Sequence, residues 1–215
     1  MVRPELTIGP YFVDEQLNRS DIRSEPSDGS VSEGQPLTLA IHVFDVSSNS
    51  CAPLTNAQVD IWHCDARGVY SGVSDQGSDT TGQKFLRGYQ LTDATGRAQF
   101  TTIYPGWYSG RTVHIHFMIR TTGANGESYE FVSQFFFEEA LSDQVYTEQP
   151  YAAKGQRGTL NSSDNIYNNG GDQLLLVATG DNAIGYSAAI NIGLDLTDTA
   201  VGASDSFGQP GGGPP

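Results

Sequence analysis

The chain has 215 residues and a mass of 23.1 kDa, enough for one domain that buries roughly 70% of its unfolded surface. Eleven Lys and Arg stand against 25 Asp and Glu, giving a formal charge of -14 and a pI near 4.4. That balance argues against DNA, RNA or an anionic membrane as partner, because polyanion binding rests on Lys and Arg neutralising phosphates.

Taken in chain order, the first twenty residues, MVRPELTIGPYFVDEQLNRS, lack the charged, apolar and small-residue succession of a signal peptide. Nowhere does an apolar run reach the ~18 residues that a membrane-spanning helix needs. Leu37 to Phe44 alternates apolar and polar residues, which predicts a strand. Cys51 follows in a polar run, and Cys64 ends a second alternating stretch, Val59 to Cys64, with Val59, Ile61 and His63 on one face. These are the only two cysteines. A disulfide between them would close a short loop worth about 3 kcal/mol, the alternative being two unrelated buried thiols.

The 22 residues from Ser71 to Thr92 read as a loop too long to be an idle connection. Further strands are predicted at Arg97 to Ile103, Val113 to Thr121, Glu130 to Phe137, Gln173 to Ala178 and Tyr186 to Leu196. Single helical turns are predicted at Ser142 to Thr147 and Asp164 to Asn168. The expected fold is therefore all-β: a β-sandwich of mixed or antiparallel strands, with long loops and minimal helix. Residues 1–200 form the expected domain. Residues 201–215 read as a linker, since five Gly and three Pro fall in the fourteen residues from Gly202 onward.

The chemistry begins with Val113-His114-Ile115-His116-Phe117. Two histidines at i and i+2 on a strand project from the same face, roughly 7 Å apart at the backbone. They can converge on one metal ion, or they can be two half-buried histidines on a wet sheet face. Zinc would need a further ligand, for which His42, His63 and Cys64 are candidates. The immediate neighbourhood is instead tyrosyl: Pro105-Gly106-Trp107-Tyr108 precedes the pair, and Gly68-Val69-Tyr70-Ser71-Gly72 carries another Tyr. A phenol with an ordinary pKa near 10 binds at neutral pH only to a cation charged enough to ionise it, which favours Fe(III) over Zn²⁺. Taken alone, either Tyr is also an ordinary packing residue.

Longer stretches join these motifs. They are PELTIGPYF (4–12), RSDI (19–22), AQVDIWHCDARGVYS (57–71), TTGQKFLRGYQ (80–90), GRAQFTTIYPGWYSG (96–110), RTVHIHF (111–117), SQFF (133–136) and QPY (149–151). In this order they resemble the intradiol ring-cleavage dioxygenases of catechols, from about Pro4 to Leu196. The resemblance implies one mononuclear non-haem Fe(III), held by Tyr70, Tyr108, His114 and His116 with a hydroxide as fifth ligand. Fe³⁺, two phenolates and a hydroxide sum to zero charge, which a buried site tolerates better than a net charge. It also implies that Tyr108 leaves when a catechol binds and takes a catechol proton, acting as ligand and base in turn, while Tyr70 stays. Arg111 matches an arginine that stabilises charge on the ring, and Gln134 a glutamine that supports it.

The implied reaction inserts both atoms of O₂ into a catechol, opening the ring between the hydroxylated carbons to a cis,cis-muconate-type diacid. The Cys51/Cys64 pair, the WHCD sequence and the Gly/Pro tail look most like the secreted branch of this family. That branch implies an extracellular monomer acting on plant-derived catechols, some of its members being linked to a carbohydrate-binding module that associates with polysaccharide. Two other classes stay open at the sequence level: a zinc hydrolase using His114, His116 and a third ligand such as His63, and a non-catalytic β-sandwich binding module.

Overall fold

The strand pattern of the sequence is realised in a computed structural model that describes residues 4–47, 51–75 and 77–199. The expected linker at 201–215, and the boundary at residue 200, lie outside these. One sheet is built on β1 (Pro36–Asp45), whose Leu37, Leu39, Ile41 and Val43 are fully buried while the residues between them face outward. On one side β1 pairs in parallel with the last strand, β12 (Gly185–Leu194). Its other side pairs antiparallel with β7 (Arg97–Ile103) and, at its end, with the short β2 (Ala52–Pro53). β11 (Ala178–Asp181) closes the edge beside β12, giving five strands.

The second sheet runs β10 (Leu175–Leu176), β9 (Ser128–Phe137), β8 (His114–Thr122), β3 (Gln58–Trp62) and β6 (Arg87–Leu91). Ile115, Phe117 and Ile119 of β8 face the first sheet together with Val59 and Ile61 of β3 and Phe131 and Phe135 of β9. Each such side chain taken out of water contributes about 1.5–3 kcal/mol, so this interlayer holds the sandwich together. The expected mixed β-sandwich is therefore present, and β7 occupies the residues predicted for it.

Three local expectations are corrected. The Ser71–Thr92 loop contains β6 and a small hairpin, β4 (Ser74–Asp75) with β5 (Ser78–Asp79). β6 escapes the hydrophobic pattern because Arg87 is its only buried residue, so pairing with β3 rather than apolar alternation makes it a strand. Gln173 to Ala178 is no continuous strand: it is the end of a 3-10 turn, the two-residue β10 and the start of β11. The helix α1 (Glu139–Val145) begins three residues before the predicted turn.

Cys51 and Cys64 are both free, against the expected disulfide. Cys51 is exposed just before β2, on the first sheet, whereas Cys64 is buried two residues beyond β3 on the second. The exposed Cys51 and the buried Cys64 thus sit in different surroundings, each with an unbridged thiol.

The N-terminal segment is a strap over the outer face of the second sheet. It starts at β9, where Leu6 N donates to Val132 O and Ser133 Oγ donates to Pro4 O. It ends at the opposite edge, where Arg19 N donates to Tyr89 O and Tyr89 N to Leu17 O. This strap is why β8 is buried on both faces.

Candidate metal centre

Strand alternation sets the parity of the site. With Ile115 and Phe117 turned inward, His114 and His116 turn outward, under the strap. Register then lines up Arg87 of β6, Trp62 of β3, His116 of β8 and Gln134 of β9 as one row across the sheet. Trp62 stacks on His116 with ring centroids 5.0 Å apart and planes 6° from parallel. Gly9 of the strap lies against the other ring: a Cβ there would sit 3.0 Å from His116 Cε1, and its φ of 71° suits glycine.

Two loops bring the tyrosines to this face. The loop after β3 carries Tyr70, and the loop before β8 carries Tyr108. They pack so closely that a Cβ on Gly106 would lie 2.5 Å from the carbonyl oxygens of Asp65 and Ala66. His114 Nε2 is then the centre of a cluster, 3.1 Å from His116 Nε2, 3.2 Å from Tyr108 Oη and 3.4 Å from Tyr70 Oη. His114 Nδ1 is 2.6 Å from Thr112 O, which fixes the proton on Nδ1 and turns the Nε2 lone pair into the cluster.

The electrostatics are those of a cation site. Burial, then the Arg111 charge, pulls His114 down to about 3. Burial, then His114 itself, holds His116 well below its ordinary value. Both imidazoles are thus neutral, the form that binds metal. Burial pushes the Tyr70 and Tyr108 phenols up, while Arg111 opposes the rise at both. Two phenol oxygens and two imidazole nitrogens converge here. A hard, highly charged metal ion fits such donors because it can ionise the phenols that burial keeps protonated.

Arg111 and Gln134 are joined to each other beside this cluster. Arg111 Nε donates to Asp164 Oδ2 at 2.8 Å, and Nη2 donates to Gln134 Oε1 at 2.6 Å. Gln134 Nε2 in turn donates to Thr7 O of the strap at 2.8 Å. Asp164 also accepts the Thr112 amide at 2.8 Å, so one carboxylate positions both Arg111 and the residue that orients His114. Burial alone would raise the Asp164 carboxyl; the Arg111 guanidinium and the Thr112 amide outweigh it and hold it below the usual range. Arg111 therefore is in an ion pair at the site rather than on the open surface, between a half-buried guanidinium and the buried Asp164 carboxylate.

The zinc candidates stay outside. His63 keeps the core-facing parity of Val59 and Ile61. Its Nδ1 is 2.8 Å from Cys64 O and its Nε2 2.7 Å from Thr102 Oγ1 of the other sheet, so both ring nitrogens are engaged. Cys64 gives its thiol to Gly106 O at 3.5 Å, and burial pushes it up to about 12. His42 lies on β1, in the first sheet. Among the described residues no group of three or more His, Cys, Asp or Glu could hold a metal.

Sequence reasoning missed Asp164, Thr112 and Trp62 as members of the site, and pointed to the region near Tyr11 only as a source of pocket residues. Tyr11 stacks on Tyr70 at 4.3 Å and meets Tyr108 edge-on at 5.8 Å. The GPYF motif contains Tyr11, but nothing local reveals that it covers two distant tyrosines. Trp62 was legible in principle, since it alternates against Ile61.

With this geometry in hand, the comparisons with known proteins agree. A family model described as Dioxygenase matches residues 7–173. The chain belongs to the intradiol dioxygenase family. It is similar to an intradiol ring-cleavage dioxygenase from Tetranychus urticae, with 29% identity, a TM-score of 0.79, and 92% of this chain and 96% of that one covered. The dioxygenase domain of a carbohydrate-binding fusion from Streptomyces sp. SirexAA-E is similar at 26% identity and a TM-score of 0.62, covering 91% of this chain and 99% of that one. Catechol 1,2-dioxygenase of Acinetobacter baylyi is 30% identical over 115 residues, 45% of this chain and 35% of that enzyme. The beta chain of protocatechuate 3,4-dioxygenase from Burkholderia cepacia is 35% identical over 99 residues, 42% of each. The matched stretches thus span less than half of these curated relatives.

Proposed function

We propose that this protein is a non-haem Fe(III) intradiol dioxygenase, which inserts both atoms of O₂ into a catechol and opens the ring between the hydroxylated carbons to a cis,cis-muconate-type diacid. The observation that carries this reading is the approach of Tyr70, Tyr108 and His116 to His114 Nε2 at 3.4, 3.2 and 3.1 Å. Bound there, ferric iron would supply a Lewis acid able to ionise the phenols and to draw electron density out of a catecholate.

The chain's own residues divide the other tasks. His114 and His116 hold their Nε2 lone pairs in place. Tyr108 is half-buried on a loop with exposed residues beyond it, so it is the tyrosine placed to swing away and accept a catechol proton at Oη. Tyr70 stays. Arg111, steadied by Asp164 and Gln134, offers a fixed positive charge to the substrate ring. Tyr11, Trp62 and the strap keep water from the outer face of the sheet.

Catechol without a ring carboxylate is the proposed substrate, because Arg111 and Arg87, the cations that bear on the donor cluster, are already engaged by Asp164 and by Ser71. Iron-loaded protein should be red-brown from tyrosinate-to-iron charge transfer, consume O₂ with catechol, and release a product opened between the two oxygens. Colourless iron-loaded protein, or ring opening beside the hydroxyls, overturns the reading.

Secretion, a monomeric state and association with polysaccharide through a further module are proposals of the same kind. They rest on the family resemblance and on the likeness to a dioxygenase domain from a carbohydrate-binding fusion. The free Cys51 and Cys64 remove the disulfide from their support.

A further inference from the structure

The two tyrosines are held very unequally. Tyr70 is 4% exposed, and its carbonyl accepts from Thr80 Oγ1 at 2.6 Å. The turn leading to it is closed by Asp65, whose Oδ1 takes the amides of Arg67 and Val69 at 2.9 and 2.8 Å. Tyr108 is held on its near side only, where Lys154 Nζ donates to Trp107 O at 2.6 Å; after it Ser109 and Gly110 are exposed, and Gly110, at a φ of 87°, has nothing within 4 Å of a would-be Cβ.

The strongest grip on the Tyr70 side comes from Arg87. Its Nε donates to Ser71 Oγ at 2.9 Å and to Ser71 O at 3.2 Å, and its Nη2 donates to Ser71 O at 2.6 Å. Ser71 Oγ passes its own proton on to Phe85 O at 2.6 Å. Arg87 is itself anchored, paired with Trp62 across the sheet and accepting Arg19 Nε at its carbonyl at 2.9 Å. It is 3% exposed and forms no ion pair with a carboxylate among the described residues. A buried guanidinium without a carboxylate is an expensive group to keep, and burial pulls it down to about 10. Here it is directed at the main chain of the residue that follows a candidate ligand.

We propose that Arg87 is the positioning residue that locks Tyr70 through Ser71, so that of the two tyrosines only Tyr108 is free to leave the donor cluster. This rests on the metal-binding reading above and goes beyond it by naming the group that makes the two phenols unequal. Arg87 touches neither substrate nor metal; it acts through the backbone next to Tyr70.

The test uses the full chain carrying Arg87→Met, which removes all three bonds, and Arg87→Lys, which keeps the charge but loses the planar fork. Two readouts are taken. Amide hydrogen exchange of the metal-free chain should quicken by about tenfold at Val69, Gly72 and Thr80, with β8 and β9 unchanged. In the iron-loaded chain, catechol should bleach more of the visible tyrosinate band in both variants than in the parent, where only one tyrosine's share is lost. Unchanged exchange around Tyr70, exchange that rises equally in β8 and β9, or parent-like bleaching in the variants each overturns the proposal. If Arg87→Met does not fold, Arg87→Lys carries the same readouts. A parent that shows no visible band with iron defeats the metal-binding reading instead, and the exchange experiment still decides the grip of Arg87.

Discussion

Tyr108 and His114 stand 3.2 Å apart, yet they are asked to do different things. His114 is buried on a central strand and keyed by Thr112 O, so removing its imidazole leaves the cluster without its centre. His114→Ala is expected to retain about a tenth or less of the parent's iron. Tyr108→Phe keeps both imidazoles and Tyr70, so it should retain most of the iron while losing about 10²-fold or more in kcat as the proton acceptor disappears. Elemental analysis paired with O₂ uptake reads both quantities; equal iron loss in the two variants would contradict the division of roles. At this scale the sequence was informative about donors, because i and i+2 spacing on a strand is a local property. It was silent about Asp164, which lies 53 residues from Arg111 and carries no motif.

At the scale of elements, the site is made where two loops and a strap meet the outer face of one sheet. The loop after β3 and the loop before β8 touch through Gly106, whose amide donates to Asp65 O at 3.0 Å. Gly106→Ala would drive a methyl group to 2.5 Å from two backbone oxygens, which cannot move without separating the loops. We expect a loss of about 2 kcal/mol, seen as a melting temperature lower by several degrees, together with weaker iron binding. A variant as stable as the parent and as fully loaded would show that the loops are not held at that distance. The long strands β1, β7 and β12 were legible because their buried residues recur with a period of two, and β8 and β9, buried on both faces over much of their length, were legible as runs of apolar and aromatic residues. β6 was not, since its identity comes from a partner strand, and neither was the strap, whose residues do not alternate.

For the molecule as a whole, pH exposes an unfavourable term that the fold tolerates. Asp60 lies on the outward side of β3, bonded to Arg120 Nη2 at 3.1 Å and to Gln58. Burial nevertheless outweighs these partners and raises its carboxyl from 3.8 to about 6. Because the folded value is the higher one, its stabilising contribution is complete below about pH 4 and lost as pH rises through about 6. The size of that loss is about 2–3 kcal/mol. Asp60→Asn removes this dependence, so urea unfolding should show the variant gaining on the parent between pH 4 and pH 7. A constant difference across that range would mean that Asp60 is ionised normally in the folded chain.

The sequence by itself determined the all-β class, the faces of the long strands and the four candidate donors. The class, the strand faces and the His114/His116 pair are carried by neighbours in the chain through alternation, whereas Tyr70 and Tyr108 became candidate donors only through the resemblance of the ordered motifs to a family. Even the exclusion of His63 was implicit in its sharing a face with Val59 and Ile61. Only the tertiary structure decided that Cys51 and Cys64 stand apart, that Gln134 is steadied by Thr7, and that Arg87 grips Ser71. The Gln134–Thr7 contact joins residues 127 positions apart, and Arg87 reaches Ser71 only because β6 pairs with β3. Alternation fixes which way a side chain points, but what it meets there depends on how distant segments cross the sheet.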